Sequence, residues 1–212
     1  MDEQIAYYAK RAKEYDQVYL KPERQEDLAD IKARLSRQFP AQHLLEIACG
    51  TGWWTQYLAQ AAQQITATDI NASVLSIAQT RKYGCPVQFI QADIWEMEPK
   101  NHDALFGGFI WSHIRREQLA DFADLILQQI QSGSHFVFLD NRFVPGSSTP
   151  ISETDLNGNT LQKRSLQNGE SFSVVKNFPD FDEMQRVFGD RISNPEWIEW
   201  QYFWLFAAKR RA

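Results

Sequence analysis

The chain has 212 residues, a length suited to one domain with a well-filled core. Its 43% apolar content excludes a disordered or collagen-like chain, and its net charge of −5 argues against nucleic-acid and membrane-surface binding. Cys49 and Cys85 lack a CxxC partner, no apolar run reaches membrane-spanning length, and the polar start Met1-Asp2-Glu3-Gln4 is unlike a signal peptide; the expectation is a soluble cytoplasmic protein without a structural metal.

The first forty residues read as helix, with Tyr7, Tyr8, Arg11, Ala12, Tyr15 and Tyr19 at spacings of three and four. Pro22 suits the start of a second helix with Leu28, Ile31 and Leu35 as its apolar stripe, and Pro40 ends it. A buried strand is predicted over His43–Ala48, a helix over Trp53–Gln64 and a strand over Ile65–Asp69. Asn71 is expected to cap a helix to about Tyr83, followed by a strand over Val87–Gln91. A fourth strand is predicted over Ala104–Trp111, a helix over Glu117–Gln131 and a fifth strand over His135–Leu139. Strict alternation of short apolar strands with helices implies parallel crossovers and helices on both faces of one sheet.

Between Asn141 and Asn177 the alternation stops. Asn157-Gly158-Asn159 and Asn168-Gly169 are hairpin signals, and a long irregular stretch in a compact domain reads as a cover over a site. Phe181–Phe188 returns to helix. The aromatic run Trp197–Ala208, close behind Asn194-Pro195, is expected to complete an antiparallel hairpin at the sheet edge, with one set of its rings buried. The organisation is a single domain: a helical cover over 1–40, a core over 43–140, a cover segment over 141–177, and a helix with edge strands over 178–212.

The most informative segment is Glu46-Ile47-Ala48-Cys49-Gly50-Thr51-Gly52, in which a buried strand runs into two glycines and a helix. Glycines there let a ligand lie against the backbone, and the free N–H groups of a helix start meet its polar atoms. Seventeen residues past Gly52, Asp69 ends the next strand, where a carboxylate can accept both hydroxyls of a ribose. A pyrophosphate cradle would read G-x-G-x-x-G, yet Thr55 stands at the third glycine. Glu46 also fits poorly beside a pyrophosphate and suits a ligand with a cationic amino group.

On these residues the sequence resembles the class I S-adenosylmethionine-dependent methyltransferases. The resemblance implies a Rossmann-like α/β fold with a seven-stranded, mostly parallel sheet whose last strand is antiparallel. It implies S-adenosylmethionine as cofactor, with Glu46, Ala48, Gly50, Thr51 and Gly52 along its methionine and ribose. It assigns the ribose hydroxyls to Asp69, the adenine to Ile70, Asp93 and Ile94, and the methyl end of the pocket to Trp111 and Ser112. The opening Tyr8-Ala9-Lys10-Arg11-Ala12…Tyr15-Asp16 resembles a subgroup acting on small molecules, in which Tyr8, Arg11 and Tyr15 would hold the cofactor carboxylate. Asp140-Asn141-Arg142 and Lys176-Asn177-Phe178-Pro179 resemble segments of uncharacterised members and name no substrate.

Methyl transfer from a sulfonium needs alignment and exclusion of water, and a base only where the acceptor must lose a proton. His113, after the fourth strand, is the first candidate for that base, with a structural histidine as the bland alternative. Asp140 is the second candidate. Asn141 and Arg142 close the fifth strand and are expected to orient the acceptor, with Trp54 as a pocket wall. His43 and His102 read as surface residues, and His135 as lying at the wrong end of the sheet. The reading is a methyltransferase acting on a small molecule, without nucleic-acid or membrane partners and with oligomeric state open. A protein or tRNA methyltransferase, a nicotinamide-dependent oxidoreductase and a non-catalytic cofactor-binding module are the alternatives.

Overall fold

The computed structural model describes residues 3–212. Met1 and Asp2 of the polar start lie outside the described residues. The strands are β1 (His43–Ile47), β2 (Gln64–Asp69), β3 (Val87–Gln91), β4 (His102–Gly108), β5 (Ile130–Asn141), β6 (Glu153–Thr154), β7 (Thr160–Ser165), β8 (Ser171–Val175), β9 (Ile192–Glu199) and β10 (Phe203–Arg210). The helices are α1 (Glu3–Arg11), α2 (Gln25–Leu35), α3 (Thr55–Leu58), α4 (Ala72–Ala78), α5 (Leu119–Gln128) and α6 (Phe181–Phe188).

Seven strands form one sheet in the order β3-β2-β1-β4-β5-β10-β9. β1 pairs in parallel with β2 and β4, and β10 runs antiparallel to both β5 and β9. This is the expected Rossmann-like architecture. Successive residues of each central strand face opposite layers. Leu44, Phe106 and Val137 pack with Leu28 and Ile31 of α2, while Leu45, Leu105 and Phe138 pack with Phe122 of α5 and Phe188 of α6. Because β10 lies inside the sheet, both of its faces are buried: Phe203 and Leu205 on one side, Trp204 and Phe206 on the other. The expected burial of a single set holds only for an edge strand, and the edge here is β9.

Several elements differ from the sequence reading. The first helix turns into 3-10 geometry over Ala12–Leu20, so its tyrosines leave a straight helical face. The helix expected over Trp53–Gln64 is four residues, Thr55–Leu58, followed by tight turns in which Gln60 donates to Tyr57 and Ala61 to Leu58. α4 stops at Ala78 because Arg81 turns back to the glycine loop, its Nε donating to the Thr51 carbonyl at 2.6 Å. β4 begins at His102 and ends at Gly108, because Phe109 adopts φ +60°. His102, expected at the surface, is buried in β4 beside the His43 ring at 5.0 Å. β5 starts five residues early, and its His135 pairs with Ala104, away from the strand ends that carry the site.

The stretch over 141–177 is built mainly from a small antiparallel sheet in the order β6-β7-β8. Both Asn-Gly signals sit at its turns, Asp155–Asn159 and Leu166–Glu170. Tyr7 and Tyr8 of α1 pack against Leu166, Val174 and Phe172 of this sheet. The two cover segments are therefore one layer, lying over the C-terminal ends of β1, β4 and β5.

Candidate active site

Past Ile47 the backbone enters the left-handed region at Ala48 (φ +50°), Gly50 (φ +57°) and Gly52 (φ +73°). A Cβ built on Gly50 meets nothing within 4 Å, so the loop borders open space at that point. Asp69 fastens this loop: its Oδ2 accepts from the Gly50 N–H and its Oδ1 from the Asn71 N–H, both at 2.9 Å. Burial pushes its carboxyl above the usual aspartate range. Glu46 is more deeply buried, its Oε2 has no hydrogen-bond partner among the described residues, and burial raises its pKa to about 8. A small recess of about 20 Å³ joins Glu46 to Ala48, Cys49, Gly50 and Thr51.

A cleft of about 660 Å³ opens beside this loop. Ala48, Gly50, Asp69, Ile70, Asp93 and Ile94 line it, as does Gly108 at the end of β4. The Asp93 Oδ1 accepts from the Trp95 N–H at 3.0 Å, which fixes the turn that presents Ile94. A second chamber of about 300 Å³ lies under the cover layer, lined by Arg11, Tyr19, Arg24, Asn141, Arg164 and Lys176 among others. Four residues border both spaces: Tyr8, Tyr15, Phe109 and His113. Phe109 holds its φ of +60° with its N–H donating to the Leu139 carbonyl at 2.7 Å, a strained conformation of the kind concentrated at functional sites.

His113 is buried at this junction. Its Nδ1 lies 2.6 Å from the Val175 carbonyl and its Nε2 lies 2.8 Å from the Tyr8 hydroxyl. A carbonyl only accepts, so Nδ1 carries the proton and Nε2 accepts from Tyr8. Burial holds the imidazole pKa well below its usual value, and the Lys176 and Arg164 charges push the same way. The histidine is neutral across physiological pH, and its Nε2 is engaged by the Tyr8 hydroxyl at the border of both chambers.

The other predicted residues divide. Tyr8, Tyr15, Glu46, Ala48, Gly50, Thr51, Asp69, Ile70, Asp93, Ile94, Trp54, Arg11, Asn141 and His113 come together around these spaces, with Arg11 and Asn141 on the second chamber. Thr51 donates its hydroxyl to Asp16 at 2.6 Å, and Arg81 pairs with the same carboxylate, so the 3-10 segment is tied to the glycine loop. Gly52 faces Tyr83 instead of the cleft. Trp111 sits in the core against Phe122, Phe138 and Phe188, and borders neither chamber. Arg142 turns outward to Glu199 and to the Trp200 carbonyl. Asp140 is fully buried behind Lys176, accepting from its Nζ at 2.6 Å and from the Ser112 N–H at 3.0 Å; Ser112 also hydrogen-bonds that Nζ. Arg164 and Lys176 were not identified from sequence, because no local spacing links β7 and the end of β8 to the glycine loop. Phe109 carried a signal: it follows Gly107-Gly108 at a strand end.

The cleft has what a nucleoside joined to an amino acid through a sulfonium requires: open space against the glycine loop, a carboxylate at the second strand end, and a buried acid with one free oxygen beside the recess. Its acidic and basic lining is Glu3, Asp69 and Asp93 against Arg115, beside the neutral His113, a balance that suits a positively charged ligand. If the ligand's ammonium settles beside Glu46, binding must convert the neutral carboxyl to carboxylate. Calorimetry at pH 7 in buffers of different ionisation enthalpy should then show release of close to one proton per S-adenosylhomocysteine bound, falling toward zero above pH 9. Binding without buffer dependence would remove Glu46 from this role.

Residues 44–133 match the methyltransferase domain family. An uncharacterized methyltransferase of Mycobacterium tuberculosis is 36% identical over 81 residues, 37% of this chain and 41% of its own length. A malonyl-(acyl-carrier protein) O-methyltransferase of Halalkalibacterium halodurans is 38% identical over 73 residues, 33% of this chain and 27% of its own. The matches thus span less than half of these curated relatives. Among solved structures, the DhpI–SAM–HEP complex superposes with a TM-score of 0.82 at 26% identity, covering 98% of this chain and 96% of that one. The DhpI–SAH complex covers 99% and 96% with a TM-score of 0.77. The glycine loop, the strand-end acid and the sheet order agree with these likenesses: residues 44–133 match a methyltransferase domain, and the whole chain shares the fold of the DhpI complexes.

Proposed function

We propose that this protein transfers a methyl group from S-adenosylmethionine to a small-molecule acceptor. The observation that carries the reading is the junction of two spaces: a cleft against the glycine loop and a chamber under the cover layer, meeting at Tyr8, Tyr15, Phe109 and His113. When bound, the cofactor supplies an electrophilic methyl on sulfonium, which departs as a neutral thioether. Asp69 would accept the ribose hydroxyls on lone pairs left beyond its two backbone bonds, with Ile70, Asp93 and Ile94 along the adenine. Glu46 would meet the ammonium. Two structures in the comparison, both of DhpI, are complexes with SAM or SAH and cover nearly the whole chain, which supports the cofactor reading.

Tyr8 and His113 would act on the acceptor as one unit. An acceptor that must lose a proton would pass it to the Tyr8 oxygen as Tyr8 passes its own to Nε2. An acceptor already anionic would need only the oriented hydroxyl. His113→Ala should lower turnover by roughly 100-fold if proton removal is required, with S-adenosylhomocysteine affinity nearly unchanged. Undiminished turnover would leave His113 with a structural role. Asp140 would act indirectly, by holding Lys176 at the chamber wall.

The test of the whole reading is direct. Titration calorimetry should show binding of S-adenosylhomocysteine and none of NADH, and a metabolite-library screen with S-adenosylmethionine should release S-adenosylhomocysteine with some acceptors. A preference for NADH would overturn it.

A further inference from the structure

The chamber under the cover layer is lined by six cationic side chains, Arg11, Lys21, Arg24, Lys163, Arg164 and Lys176, and by no Asp or Glu among the described residues. Acids outnumber bases in the chain as a whole, 27 to 22, so this concentration runs against its composition. Of the six, only Lys176 forms an ion pair among the described residues, with the buried Asp140.

Arg164 shows the imbalance best. Its Nη1 donates to the Tyr8 hydroxyl at 3.0 Å, and its Nε and Nη2 donate to Gln162 Oε1 at 3.2 and 2.7 Å. A guanidinium has five N–H donors, so two are left without an acceptor among the described residues. All its acceptors are neutral, and no carboxylate among the described residues pairs with it. Arg24 is 8% exposed, and its Nε has no hydrogen-bond partner among the described residues. Its Nη2 meets only the Ser147 hydroxyl and carbonyl, while its guanidinium lies over the Tyr202 ring at 5.3 Å. Sheltered guanidinium groups with spare donors are matched to the oxygens of carboxylates and phosphoryl groups.

The adjoining cleft has the opposite lining, acids with one arginine. The two spaces are thus electrostatically distinct, and they meet at the neutral pair Tyr8 and His113. A volume of about 300 Å³ beneath the cover layer suits a compact molecule.

We propose that the acceptor is a small oxyanion, a carboxylate or a phosphoryl compound, seated in the second chamber on Arg164 and Arg24. This rests on the methyl-transfer reading for the word acceptor, while the anion site stands on the chamber alone. Arg11 would then serve this anion instead of the cofactor carboxylate.

The experiment is titration of inorganic phosphate, methylphosphonate and malonate into the protein saturated with S-adenosylhomocysteine, at constant ionic strength, with chloride as the reference anion. At least one probe should bind at one site per chain. Its affinity should fall about tenfold or more in Arg164→Gln, and likewise in Arg24→Gln, which covers the case that the first variant fails to fold. S-adenosylhomocysteine affinity should stay within about threefold in both, since neither residue borders the cleft. Methylphosphonate binding without malonate, or the reverse, assigns the anion type. The proposal is overturned if no probe binds more tightly than chloride, if a folded variant binds the probe as well as the parent, or if a short single-stranded RNA binds while all three probes do not. Should S-adenosylhomocysteine itself not bind, the methyl-transfer reading fails, and the same titrations on the free protein still decide the anion site.

Discussion

Asp69→Ala should weaken S-adenosylhomocysteine binding by about 1–3 kcal/mol, roughly five- to 150-fold, through loss of charge-assisted hydrogen bonds. The side chain has two tasks in the fold. It would bind the ribose, and it holds the Gly50 and Asn71 N–H groups at 2.9 Å. The substitution leaves those donors unsatisfied beside a left-handed turn, so the melting temperature should fall as well. Asp69→Asn separates the tasks in part, because its amide keeps one acceptor oxygen for the loop and carries no charge. Calorimetry on folded Asp69→Ala decides the assignment, and an affinity equal to that of the parent would mean that the cofactor lies elsewhere.

The second large effect falls on stability. Lys176 and Asp140 are 3% and 0% exposed, and they form a hydrogen-bonded ion pair at 2.6 Å. Burial pushes the lysine below its usual pKa, while Asp140 pulls in the other direction. Lys176→Met removes the partner and leaves a buried carboxylate with only the Ser112 and Asn141 N–H donors, at 3.0 and 2.7 Å. A loss of about 3–5 kcal/mol is expected in urea unfolding. The double change Lys176→Met with Asp140→Leu should recover part of that loss, since no charge is then stranded. Equal stability of Lys176→Met and the parent would show that the pair contributes nothing beyond its burial cost.

The glycine-loop side of the site, legible in the sequence, has one property in common: its residues lie at the ends of consecutive strands. Glu46 to Gly52 run out of the end of β1 and Asp69 is the last residue of β2; both strands are short, apolar and bounded by turn residues, so periodicity alone placed these residues at strand ends. Asp93 follows β3 in the same way. Element lengths were less legible. Trp53–Gln64 has helical composition, but the chain must turn within it to bring Gln64 into register with His43. Ile130 to Ser134 looks polar and irregular, yet pairing with His102 draws the start of β5 into the sheet. Pro195 marked a turn in sequence, whereas it lies within edge strand β9, where a missing N–H is tolerated.

By itself, the amino-acid order determined the alternation that builds the parallel sheet, the glycine loop with its acid four residues earlier, and the carboxylate at the next strand end. These are local, because a strand, a turn and a helix start each depend on neighbours a few residues apart. Tertiary structure alone decided which polar and charged groups face each other. Tyr8 meets His113 across 105 positions and Arg164 across 156, and Lys176 meets Asp140 across 36. Such pairings depend on how the cover layer folds onto the sheet edge, where desolvation makes an unpaired guanidinium costly and a matching anion favourable.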